Sequence, residues 1–114
     1  MKIEEMDVYK LSHDLTKRIY ELQKKFPKEE IYGLVAQLRR SSSSIVANLI
    51  EGNYRFSKKE FKHFISISRG SCAELRYLIF LSYELGYLNE DEYQTLLRVC
   101  ERIISMLTKL YNSF

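Results

Sequence analysis

Little in this chain would interrupt a helix. One proline and four glycines in 114 residues leave almost no turn punctuation, so long helices joined by short turns are the expected architecture. Cysteine is scarce too. Cys72 and Cys100 are the only two, which excludes a disulfide scaffold and makes a reducing cytoplasm the simplest home. No amino-terminal pattern of charge, apolar core and small-residue cleavage site is present. No apolar run approaches the ~18 residues that a membrane span needs, so a soluble protein without membrane partners is expected. A glycine-rich phosphate loop is missing as well, since Glu51-Gly52-Asn53 offers one glycine and no strand-turn-helix setting.

What is present is apolar periodicity. With 46% apolar and 13% aromatic residues the chain can bury a core of ordinary size, and its length fits one domain over 1–114. The first helix is predicted from about Asp7 to Lys25, with Val8, Leu11, Leu15, Ile19, Leu22 and Phe26 as its stripe. Pro27 suits a first helical turn, so Pro27-Lys28-Glu29-Glu30 reads as the start of the second helix. That helix carries Ile31, Leu34, Val35, Leu38, Ser42, Ile45 and Leu49 on one side and ends near Gly52-Asn53. Ser57 and Glu60 form a capping box for a third helix beginning near Lys58, with Phe56 and Phe61 placed for a hydrophobic staple. Gly86 is set to stop it in a left-handed conformation. Asn89 and Glu92 repeat the cap before a fourth helix whose stripe runs from Tyr93 to Tyr111. Four amphipathic helices on short turns predict an all-α, antiparallel up-down-up-down four-helix bundle.

The second helix has a further flank: Gln37, Ser41, Ser44, Asn48, Glu51 and Arg55 follow one another at three- and four-residue steps. A solvated face favours long charged residues, because Ser and Asn are weaker helix formers. The third helix is alike, with Ser66, Gly70, Ala73 and Tyr77 opposite its core stripe, and an interior glycine costs about 1 kcal/mol relative to alanine. Three readings account for these small residues: tight packing within one bundle, neutral surface, or a face that meets another subunit. The last is the working hypothesis. It places Gln37, Ser41, Ser44, Asn48, Glu51, Ser66, Gly70, Ala73, Glu74 and Tyr77 at an interface between copies.

No constellation of catalytic groups stands out. Glu60-x-x-His63 has the spacing of a di-iron bundle site, but a second such pair and two more inward carboxylates are lacking, and His63 is one of only two histidines. The serines have no histidine at a related position, and His13 reads as a surface residue. No metal, cofactor or enzymatic activity is expected.

Charge is unevenly spread. The formal net charge of +3 names no partner, yet Arg39 to Arg76 holds eight Lys/Arg against three Asp/Glu, while residues 1–38 balance and 77–114 lean acidic. Arg39, Arg40, Arg55, Lys58, Lys59 and Lys62 are the candidates for phosphate contact, the bland alternative being a solvated face with some ion pairs. No recognition-helix turn, zinc-finger spacing or aromatic RNA motif is present, so binding is expected to follow charge and shape.

Several of these residues also carry a resemblance. Gln37-Leu38-Arg39-Arg40, Ser44-Ile45-x-x-Asn48-Leu49-x-Glu51-Gly52, a base at Arg55, Phe61 and Phe64, and Gly70-Ser71-x-x-Glu74-Leu75 resemble the family of bacterial proteins encoded in intervening sequences of 23S ribosomal RNA genes. The likeness spans almost the whole chain, including Phe26-Pro27 and Leu85-Gly86-Tyr87-Leu88. The chain departs from the family at Ile50 and at Ser41 to Ser43, where alanine is usual. The resemblance implies an antiparallel four-helix bundle, a homopentamer and no known enzymatic activity. More distantly, the family is similar to the accessory proteins of diversity-generating retroelements, basic pentamers that bind nucleic acid and a reverse transcriptase. The expectation is therefore a non-catalytic, cytoplasmic accessory scaffold for RNA or DNA whose contacts follow charge instead of base readout. The alternative is a protein-protein assembly module, with a ferritin-like metal enzyme a distant third.

Overall fold

A computed structural model describes residues 2–114, and four α-helices account for most of them: α1 (Asp7–Glu21), α2 (Leu34–Asn53), α3 (Lys58–Glu84) and α4 (Glu90–Asn112). Short 3-10 turns cover Ile3–Glu5, Leu22–Lys25 and Lys28–Glu30, and no strand forms among the described residues.

Contacts between the helices fix their directions. Between α1 and α2, Thr16 Oγ1 donates to the Ser42 carbonyl, while Arg39 lies over the Tyr20 ring. Between α2 and α3, Ser44 bonds Ser71 and Ser68 donates to Ile45. Between α3 and α4, Arg69 donates to Thr108, and Tyr83 stacks on Tyr93. In each pair, residue numbers rise on one helix as they fall on the other. The bundle is antiparallel throughout, about 44 Å long and 20–24 Å across, so its two ends are well separated.

The core forms where the apolar stripes meet. Leu15, Ile45, Leu49, Ile65, Leu75, Ile79, Ile103 and Leu107 are fully buried, one helix's branched chains filling the gaps of the next. The Asn89 cap forms as expected: its Oδ1 accepts the Glu92 N–H at 2.8 Å, and its own N–H donates to the Glu92 carboxylate at 2.9 Å. Gly86 stops α3 at φ +83°, with the Tyr87 N–H reaching the Ser82 carbonyl.

Four expectations need correction. α1 gives way to a 3-10 turn after Glu21 instead of running to Lys25, although Phe26 is buried against Tyr87 with ring centroids 5.1 Å apart. α2 starts at Leu34 and not at Pro27, because Gly33 takes a non-helical conformation and Ile31 turns outward. Glu30 then caps α2 from outside the helix, accepting from the Leu34 N–H and from the Tyr87 hydroxyl. Ser57 makes only half a capping box: its Oγ accepts the Glu60 N–H, but its hydroxyl, not its amide, meets the Glu60 carboxylate. Phe56 makes no staple, since it is wholly exposed.

Candidate nucleic-acid interface

The end of the bundle where α2 turns into α3 is shaped by a glycine. A Cβ on Gly52 would lie 2.6 Å from the Phe64 Cβ and 3.0 Å from the Phe61 ring, so α3 starts almost against the α2 backbone. A connection of four residues, Tyr54 to Ser57, suffices to reverse the chain. Its tightness folds the Arg55 guanidinium back over the Phe64 ring, 4.8 Å from the centroid, where Arg55 also donates to Glu51 at 2.8 Å. One turn into α3, the Lys62 ammonium lies 4.3 Å from the Tyr111 ring centre on α4.

These residues border an open groove of about 820 Å³, lined by Arg55, Lys59, Glu60, Lys62, His63, Phe64, Ser66 and Tyr111. Three basic side chains face one carboxylate there, and Glu60 is already occupied by the Ser57 hydroxyl. Lys58 stands beside the groove, exposed in the first turn of α3. Cations on flat rings keep their charge available to an anion while their stems stay ordered.

The six basic candidates divide into two groups. Arg55, Lys58, Lys59 and Lys62 gather at this end, whereas Arg39 stands 16 residues before Arg55, about 24 Å away at 1.5 Å per residue, with Arg40 next to it. Arg39 is half-buried over Tyr20 at 5.0 Å, with its Nε buried and unbonded, while Arg40 is exposed.

The small-residue flank divides as well. Ser41 is buried inside the subunit, its hydroxyl bonded to the Gln37 and Leu38 carbonyls, so it has no surface to offer a second copy. Ser44 and Asn48 are half-buried: Ser44 bonds Ser71 at 2.8 Å, and the Asn48 amide donates back to Ser44. Gln37 and Glu51 are exposed, as are Ser66, Gly70, Ala73, Glu74 and Tyr77 on the outer side of α3. Added to these, Ile67 and Phe80 leave large apolar groups in solvent on the same helix.

Groups weighed for catalysis lie apart. Glu60 and His63 are both exposed, His63 edge-on to Phe64, and His13 stacks on Tyr9. No three His, Cys, Asp or Glu side chains gather into a metal-binding group among the described residues. The Cys72 thiol, fully buried, donates to the Cys100 carbonyl at 3.5 Å; its hydrogen bond with Cys100, and then burial, push the Cys100 thiol far above its ordinary range.

A family model described as 23S rRNA-intervening sequence protein matches residues 4–109. The chain belongs to that family. A crystal structure at 1.70 Å resolution of a protein of unknown function from the S23 ribosomal protein family of Bacteroides thetaiotaomicron VPI-5482 superposes with a TM-score of 0.84. It shares 23% identity, over 91% of this chain and 97% of that one, which shows a common fold. No curated protein matches the chain. Within this 23S rRNA-intervening sequence protein, no helix is long and apolar enough to cross a membrane among the described residues.

Phe56, whose spacing suits a staple, and Tyr54 beside it both stand exposed in the turn. Tyr54-Arg55-Phe56, an arginine between two rings just before Lys58-Lys59, is the signal that could have marked them.

Proposed function

We propose that this family member is a non-catalytic, self-associating helical scaffold that holds nucleic acid through phosphate contacts at the α2–α3 end. The observation that carries the reading is the convergence of Arg55, Lys59 and Lys62 on one groove, with Lys58 at its edge. Helix electrostatics support it. Lys58 and Lys59 occupy the first turn of α3, where the dipole presents partial positive charge and disfavours a cation by about 0.3–1 kcal/mol. Bases kept at a helix end that opposes them suit an anionic ligand better than they suit the fold.

Self-association is supported by the outer side of α3, where Gly70 has no atom within 4 Å of a would-be Cβ and Tyr77 is 59% exposed. The proposed assembly is the pentamer that the family resemblance implies. A ring would present the modest groove several times, and avidity raises affinity by ~10² or more without new contacts.

A second reading keeps the same assembly but no nucleic acid, and the Arg55–Glu51 pair favours it, since one groove cation already has an internal partner. Salt separates the two. Under the first reading, binding of RNA or DNA weakens steeply as salt rises, and Lys58→Glu with Lys59→Glu abolishes it while the circular dichroism spectrum is unchanged. If that double variant binds as the parent does, the charge assignment fails. Light scattering that reports a monomer at micromolar concentration would remove the self-association.

A further inference from the structure

The turn between α2 and α3 displays two aromatic side chains that the fold does not use. Phe56 is 104% exposed and Tyr54 is 74% exposed, so neither ring is packed into the fold. An apolar ring held in water adds nothing to the core and raises the risk of aggregation.

Exposure alone does not make a site. Tyr32 is 95% exposed at the opposite end of the bundle, but it follows Glu29 and Glu30, whose charge repels a polyanion. Tyr54 and Phe56 instead flank Arg55 and lead into Lys58 and Lys59. Arg55 is folded down onto Phe64, while the rings on either side of it in sequence stay exposed. Rings beside a cationic groove are how proteins grip single strands: bases stack on the rings while the backbone follows the charge. A duplex hides its base faces and offers such rings nothing.

We propose that this turn is a stacking platform for unpaired bases, Tyr54 and Phe56 taking nucleobases of a single strand while Arg55, Lys59 and Lys62 take the neighbouring phosphates. The inference rests on the nucleic-acid reading above and narrows it to single-stranded segments, with little dependence on base identity because every base has a face to stack.

The test compares three probes on the full chain: an unstructured oligothymidine, a hairpin duplex of equal nucleotide length, and heparin as a polyanion without bases. Oligothymidine is expected to bind more tightly than the hairpin. Tyr54→Ala with Phe56→Ala is expected to lower its affinity by about tenfold or more. Hairpin and heparin affinity should not move, and Tyr32→Ala should change none of the three. Because the chain has no tryptophan, Phe56→Trp supplies a single reporter, whose emission should fall when oligothymidine is added and stay constant with heparin. Oligothymidine affinity that survives loss of both rings overturns the platform and leaves the phosphate reading standing. So does a double variant that loses its oligomeric state, which would make the rings contacts between copies. Failure of all three probes to bind the parent chain overturns both proposals.

Discussion

Ser68 donates a 2.7 Å hydrogen bond from its buried hydroxyl to the carbonyl of Ile45, joining α3 directly to the backbone of α2. A hydroxyl one carbon from its own backbone reaches a neighbouring backbone only where the helices come close. Gly52 beneath Phe64 continues that seam towards the basic end, and Ser44 with Ser71 extends it the other way. The seam accounts for Ser44, whereas the Ser41, Ser42 and Ser43 hydroxyls bond carbonyls of their own helix.

Gly52→Ala tests how tightly that seam is set. The new methyl would meet the Phe64 Cβ at 2.6 Å, an atom fixed to the α3 backbone and unable to swing aside. Overpacking of this kind costs about 1–3 kcal/mol. Urea denaturation is expected to show a lower midpoint at an unchanged slope. A midpoint equal to the parent's would mean the seam has slack.

Arg39→Ala is expected to act on the fold and not on binding. Arg39 covers the Tyr20 ring at 5.0 Å, and loss of that cover and its packed stem costs about 0.5–2 kcal/mol. Arg39 also stands about 24 Å along the bundle from Arg55 and does not line the groove. Nucleic-acid affinity should therefore stay within twofold or so of the parent at a temperature where both are folded. A large affinity loss with unchanged stability would restore Arg39 to the phosphate-binding group.

How far the sequence was legible depends on the range of the forces involved. Stripes such as Leu96, Cys100, Ile103 and Leu107 repeat at helical spacing, and all four are buried, because burial of one face is a local pattern that the chain itself carries. Asn89 and Glu92 were legible for the same reason, being one turn apart. Phe56 was not: whether it packs on Phe61 or points to water depends on the direction in which the turn leaves α2, which Gly52 and Phe64 decide together across two helices. The basic cluster was half legible. Proximity in sequence gathered Arg55, Lys58, Lys59 and Lys62, but only the fold separates Arg39 from them and brings Tyr111 beneath Lys62.

Acid should loosen the end of the bundle opposite the groove. Glu92 is held below its ordinary value of 4.5 by the hydrogen bond from the Lys25 ammonium and then by the Asn89 N–H. Glu90 is lowered in the same direction by the Tyr83 hydroxyl and then by Gln94. A carboxylate depressed in the folded state contributes stability above the unfolded value and loses it as pH falls through the folded one. Thermal midpoints are thus expected to be flat from neutrality to about 4.5 and to fall below it. Glu92→Gln keeps the cap, because glutamine serves at that position too, and forfeits only the ion pair, at most about 1 kcal/mol. The variant should start slightly less stable and lose less on acidification. A parallel shift at every pH would place the effect in the cap instead.

Gly70→Ala separates the lone subunit from an assembled one. Nothing lies within 4 Å of the added methyl, and the backbone there is ordinary helix, so in an isolated subunit alanine gains about 0.5–1 kcal/mol by helix propensity alone. If another copy approaches along Ser66, Gly70 and Ala73, the same methyl holds the two backbones apart. The expected result is therefore divided: unfolding of the dissociated subunit shifts to higher denaturant, while light scattering on dilution shows the assembly separating at a higher concentration than the parent. Greater stability with no change in assembly would mean that the outer side of α3 faces only water, and the glycine there would be left without a partner to explain it.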